Sequence, residues 1–155
     1  MIRIKFQQSL DDLKERLLIM AGMAEQAIQR SIEAYSNRDL DICELVFRSE
    51  PAINRLEREI DQMALDLLAM EQPMAIDLRF ILSVIKINGD LERIGDQATN
   101  ISQRVQLLDN AQAIKLPIDI SEMGEKVGVM IRTAIQALLE ADAKLAESVL
   151  AMDDE

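Results

Sequence analysis

The chain has no histidine, no tryptophan, one cysteine, one tyrosine and three phenylalanines in 155 residues. Each scarcity closes off a class of chemistry. Without histidine there is no imidazole base, no Ser-His-Asp or Cys-His nucleophile, and few ways to build a zinc site. The single cysteine, Cys43, excludes an intrachain disulfide, and its apolar neighbours mark it as a small core residue. Aromatics make up 3% of the chain and apolar residues 49%, so the core must come from Leu, Ile, Ala and the nine Met. Five Gly and three Pro leave few breaks and favour a small number of long helices. No apolar run reaches the roughly 20 residues of a membrane span. The first residues, MIRIKFQQSLDDLKER, lack the apolar stretch of a signal peptide. These shortages predict a cytoplasmic protein without direct membrane insertion. Basic residues are also outnumbered, 17 against 28 acidic, for a net charge of −11. Such a surface repels nucleic acid and anionic lipid and attracts metal cations and basic protein surfaces.

What the chain does have is helical periodicity. Stripe positions Phe6, Leu10, Leu13, Leu17, Met20, Ala24, Ala27, Ser31 and Ala34 alternate spacings of four and three, which predicts a helix over Ile4–Ser36. Asn37-Arg38-Asp39 breaks it, and Asp39 is a good N-cap for a short helix reaching Arg48. Ser49-Glu50-Pro51 reads as a restart, with Pro51 in the first turn of a new helix. That helix carries Ile53, Leu56, Ile60, Met63, Leu67 and Met70 and ends before Pro73. A third helix opens at Pro73 with the stripe Phe80, Val84, Ile87, Leu91, Ile94, Ala98, Ile101, Val105 and Leu108. Asp109–Ile120 is a linker barred from continuous helix by Pro117. Ser121 is expected to cap a further helix with Val127, Met130, Ala134, Leu138 and Leu139, and Ala141-Asp142 marks another break.

The last part repeats the first at a fixed offset. Met20, Ile28, Ile32, Ala34, Asp39, Glu44 and Val46 match Met123, Ile131, Ile135, Ala137, Asp142, Glu147 and Val149. The expected architecture is therefore all-α: an antiparallel three-helix bundle over residues 1–110, a linker over 111–120, and a partial second copy over 121–155. The second copy reads as truncated at Asp153-Asp154-Glu155. Its apolar face would pack on the first bundle, pair with another chain, or fray.

The third helix carries an acidic cluster, Asp90, Glu92 and Asp96, beside Gly89 and Gly95. Glu92 and Asp96 are four apart and share a helix face with Asn88 and Asn100 nearby, a repulsive arrangement that costs a few tenths of a kcal/mol. Each glycine costs roughly 1 kcal/mol in a helix interior. Arg93 lies near enough to relieve part of the charge on Asp96. On the preceding helix Glu50, Asn54, Glu57 and Asp61 are spaced four, three, four and form a second acidic face. A tight turn makes these helices antiparallel neighbours. By symmetry the two acidic faces either both flank the shared groove or both point away from it. In the first case they are a candidate cation site; in the second they are a solvated surface.

The segments Gln72-Pro73, Asp77-Leu78-Arg79, Lys86-Ile87, Asp90-Leu91-Glu92-Arg93-Ile94-Gly95-Asp96 and Asn100-Ile101 resemble the signature of the PhoU family. Ile53-Asn54 with Leu56-Glu57, and Leu116-Pro117-Ile118-Asp119-Ile120, fit the same pattern. The resemblance implies two repeated three-helix bundles and no enzymatic activity. It implies a negative regulator of phosphate uptake and of the phosphate-starvation response, linking the ATPase subunit of a phosphate ABC importer to a sensor histidine kinase. It also implies homo-oligomers and, in some members, bound hard cations (iron, Mg, Mn or Ca) on Glu/Asp-x-x-x-Asp motifs, which Glu92 and Asp96 match. The family's Asp-Asp-Glu-Ile-Asn is here Glu50-Pro51-Ala52-Ile53-Asn54, two acids short, and a frequent family histidine is Gln97. A carboxylate-bridged di-iron enzyme is disfavoured, because its Glu-x-x-His motifs are missing. The alternative reading is a structural or regulatory helical domain of a larger phosphate transporter, without metal.

Overall fold

The structure, a computed structural model, describes residues 2–109 and 118–154. The described residues form five helices and no strand: α1 (Ile2–Asn37), α2 (Leu40–Glu71), α3 (Ala75–Leu108), α4 (Ile120–Glu140) and α5 (Ala143–Met152). The periodicity of α1 translates directly into packing. Leu10, Leu13, Leu17, Met20, Ala24, Ala27, Ser31 and Ala34 are all buried. Each fully buried Leu or Met among them contributes about 1.5–3 kcal/mol. The helices α1, α2 and α3 pack against one another around this stripe, and α4 lies against α1.

The turn from α1 to α2 is built by Arg38 in the left-handed region, φ 55°. It lets Asp39 N donate to the Ala34 carbonyl at 3.1 Å. The Asp39 carboxylate then accepts from the amides of Asp41 (2.9 Å) and Ile42 (3.2 Å), the expected N-cap. The same turn recurs between α4 and α5. Ala141 has φ 53°, Asp142 N donates to Ala137 O at 2.9 Å, and the Asp142 carboxylate caps Leu145 N. The internal repeat thus extends to the turn geometry.

Three expectations are corrected. First, α2 is continuous through Ser49-Glu50-Pro51, with Pro51 inside the helix. Val46, Ile53, Ile60 and Leu67 are seven apart and all buried, so one core stripe runs across the proline. Packing of that stripe offsets the hydrogen bond that Pro51, lacking an amide hydrogen, cannot return to the Phe47 carbonyl. The Ser49 hydroxyl donates to Val46 O at 2.6 Å and caps nothing.

Second, α3 is rotated from its expected phase. It begins at Ala75, after Pro73, and its buried residues are Ile81, Val84, Asn88, Leu91, Gly95, Ala98, Thr99, Ser102 and Val105. The column Val84, Leu91, Ala98, Val105 is as expected. The other column is Ile81, Asn88, Gly95, Ser102, not Phe80, Ile87, Ile94, Ile101, which are only partly buried. Gly95 explains the shift: a Cβ there would lie 3.1 Å from Ile53 Cδ1, so α2 and α3 close on one another where α3 has no side chain.

Third, α4 buries Gly124, Gly128, Ile131, Ile135 and Ala137, while Val127, Met130, Ala134, Leu138 and Leu139 are half-buried. The glycines face α1. A Cβ on Gly124 would meet Ile32 at 3.0 Å, and Gln29 Nε2 donates to Gly124 O at 2.9 Å. Glu25 pairs with Arg132, and the Ser36 and Ser121 hydroxyls are 3.0 Å apart. The N-cap is Asp119, not Ser121: its carboxylate accepts from the amides of Ser121 and Glu122. Of the three fates foreseen for this segment, α4 takes the first and docks on the bundle. α5 packs on α4 and buries no residue fully. Most of the expected linker, including Pro117, lies outside the described residues.

Candidate cation site in the seam between α2 and α3

The two helices run antiparallel. Gly95 sits against Ile53, while Asn88, seven residues earlier, reaches Glu57 and Asp61 further along α2. This register brings the two acidic faces to one seam. Glu50, Asn54, Glu57 and Asp61 on α2, and Glu92 and Asp96 on α3, are all half-buried along it. Of the two arrangements open at the level of sequence, the acids flank the shared groove.

Their mutual influence is visible at Glu92, whose carboxyl is held above its ordinary range. Burial is the largest cause, followed by the charge of Asp96, the charge of Glu57, a hydrogen bond with Asp96 and the charge of Glu50. Among the described residues no lysine or arginine pairs with these carboxylates. Arg93 is taken by Asp90 at 3.6 Å, on the exposed side, so it does not relieve Asp96, and Asp90 stands outside the seam.

Asn88 is the residue that hydrophobic periodicity missed. Its Nδ2 donates to the Glu57 carbonyl and to Asp61 Oδ1, both at 2.9 Å. Its own Oδ1 has no partner, and neither does Asn54 Oδ1 on α2, although both atoms are buried. The available signal was the seven-residue column Ile81, Asn88, Gly95, Ser102, which an apolar-only template passes over. Cys43 is a buried core residue, as expected, and burial pushes its thiol pKa up.

The donor set is all oxygen, anionic without paired bases, and includes an orphaned buried amide oxygen at Asn54. That chemistry fits a hard cation and does not fit a soft one. Among the described residues no three Asp, Glu, Cys or His groups gather into a closed ligand shell. The carboxylates line the seam without converging on one point, as repelling charges do.

A PhoU domain matches residues 17–105 and again 120–155, two segments that follow the internal repeat. The phosphate-specific transport system accessory protein PhoU homolog of Aquifex aeolicus is 33% identical over 151 residues, covering 97% of this chain and 68% of that protein. The homolog from Pseudomonas aeruginosa is 34% identical over 150 residues, covering 96% of this chain and 62% of that protein. The chain therefore spans about two thirds of the length of these curated relatives. Among solved structures, PhoU from Pseudomonas aeruginosa superposes with a TM-score of 0.90 at 33% identity, over 96% of this chain and 72% of that one. The phosphate transport system regulatory protein PhoU from Streptococcus pneumoniae gives 0.87 at 26% identity, over 96% of this chain and 70% of that one. These relatives are named as accessory and regulatory proteins, not as enzymes. Alike in helical architecture, repeat and sequence over nearly its whole length, the chain belongs to the PhoU domain family.

Proposed function

We propose that the chain serves a phosphate-specific transport system as a regulatory accessory protein. In this reading it is a negative regulator of phosphate uptake and of the phosphate-starvation response. It acts as a cytoplasmic, homo-oligomeric adaptor between the ATPase subunit of a phosphate ABC importer and a sensor histidine kinase. The observation that carries the reading is the 33% identity over 97% of the chain to a protein named for that transport system. A surface carrying a net charge of −11 suits contacts with basic protein partners.

The seam between α2 and α3 is proposed to hold a hard cation: iron, Mg, Mn or Ca. Glu50, Asn54, Glu57, Glu92 and Asp96 supply the oxygens, with Asp61 at the end of the row. When bound, the ion supplies positive charge to a seam that has none of its own. The chain's part is to hold the two helices at the spacing that keeps those oxygens facing one another, which Gly95 against Ile53 sets.

The test of the regulatory reading is genetic. Deleting the gene in its host is expected to switch on phosphate-starvation genes in phosphate-rich medium, and restoring the chain is expected to silence them. Unchanged expression in the deletion strain would contradict the reading.

A further inference from the structure

Asn88 is fully buried midway along α3, yet one of its polar atoms is unpartnered. Its Nδ2 spends both hydrogens on α2, one on the Glu57 carbonyl and one on Asp61 Oδ1, each at 2.9 Å. Those bonds fix the orientation of the amide. Turning it over would set Oδ1 against two oxygens with no hydrogen between them. Oδ1 is therefore left buried without a donor, a condition that costs about 1–3 kcal/mol unless something meets it. Asn54 Oδ1 on the facing helix is in the same condition. The bonds to Glu57 and Asp61 set the Asn88 amide against the acidic row of α2, and Asn54 lies one turn before Glu57 in that row. Among the described residues no protein donor reaches either oxygen. A hard cation meets that need, because neutral amide oxygens are among its ordinary ligands.

We infer that Asn88 is a ligand-bearing residue of this seam, presenting Oδ1 to a hard cation, and that Asp61 is the positioning residue that orients it. The inference rests on the cation reading given above. It divides the acidic row into two parts. Glu50, Glu57, Glu92 and Asp96 carry the charge that draws the ion. Asp61 spends an oxygen on Asn88 Nδ2 and acts through that amide.

The experiment is a Mn²⁺ titration of the full chain, followed by calorimetry and by the Mn²⁺ paramagnetic resonance signal. It compares the parent with Asn88→Ala, Asp61→Ala and Asp61→Asn. Metal-free thermal midpoints are measured alongside, so each variant is titrated where it is folded. Asn88→Ala and Asp61→Ala are expected to weaken Mn²⁺ binding about tenfold or more, while Asp61→Asn, which keeps an acceptor for Nδ2, recovers it to within about threefold of the parent. An Asn88→Ala variant that binds like the parent would overturn the inference and assign the buried oxygen to water. An Asp61→Asn variant as weak as Asp61→Ala would overturn it and make the Asp61 charge itself a ligand. A parent that binds no Mn²⁺ overturns the cation reading, and this inference with it.

Discussion

Glu92 carries the tension of the seam in one side chain. Folded, it binds its proton more tightly than unfolded, because burial and the charges of Asp96, Glu57 and Glu50 oppose ionisation. For a carboxyl with a raised folded pKa, the favourable contribution is present below the unfolded value of 4.5 and is lost as pH rises through the folded one. At pH 7 the ionised group therefore destabilises the metal-free fold. Glu92→Gln is expected to raise the metal-free melting temperature at pH 7, with the gain shrinking toward zero near pH 4.5; circular dichroism melts at both values check this. A lower melting temperature for the variant at pH 7 would contradict it. Adding Mn²⁺ reverses the ranking, since an ion that binds only the folded state stabilises it. The parent should gain melting temperature, and the double variant Glu92→Gln, Asp96→Asn should not. The glycines beside these acids separate by the same local reasoning. Nothing lies within 4 Å of a Cβ on Gly89, so Gly89→Ala should stabilise by about 0.5–1 kcal/mol through helix propensity. Gly95→Ala should gain nothing, because its Cβ would press on Ile53, itself 2% exposed. Urea denaturation of both variants measures the difference. The sequence showed that both glycines were costly. It could not show that only one of them lies at a helix contact, because that depends on the rotation of α3.

At the scale of the element, what was legible depended on what each core stripe is made of. The α1 stripe is apolar or small at every position, so its periodicity carries the correct phase from Leu10 to Ala34. In α3 one heptad column contains Asn88, Gly95 and Ser102, none of which registers as hydrophobic, so the apparent stripe slid by one residue to Phe80, Ile87, Ile94 and Ile101. The row of acids was legible. Its meeting with a second row was not, because Asn88 and Gly95 set the register. In α2 the helix passes straight through Pro51, because the seven-residue column Val46, Ile53, Ile60 and Leu67 outweighs the proline. Replacing it should therefore be favourable: Pro51→Ala restores an amide donor inside a helix that is already continuous. The stability of that variant is expected to rise, by up to about 3 kcal/mol, and a fall would mean that the proline fixes a bend the packing needs. The docking of α4 joins Ile131 and Ile135, which the repeat pairs with Ile28 and Ile32, to contacts at Gly124 and Gly128 that have no hydrophobic signature. Gly124→Val should push α4 off Ile32 while leaving α1, α2 and α3 packed. In limited proteolysis the region beyond Asp119 should be cut faster in the variant than in the parent. Within the parent, α5 should exchange its amide hydrogens before α4, because it has no fully buried residue.

For the molecule as a whole, the repeat is the organising fact. The turn at Arg38-Asp39 is rebuilt at Ala141-Asp142, and the PhoU domain match falls in two segments that follow it. In the first copy Met20 and Cys43 are fully buried, whereas their counterparts Met123 and Ala146 are exposed. Among the described residues the first copy is a closed bundle, and the second contributes the helix pair α4 and α5, with α4 packed on α1. All-α architecture, repeat and family were within reach of the sequence, because long periodicities and a dense local signature survive without coordinates. Partners lay further off, since an acidic surface names a sign of charge and not a protein. The proposed regulatory role requires contact with a phosphate importer. The most direct measurement is binding of the purified chain to the purified ATPase subunit of the importer from the same organism, by calorimetry at physiological salt. Saturable binding that weakens as ionic strength rises is expected. A folded chain that shows no binding to that subunit at any salt concentration would contradict it.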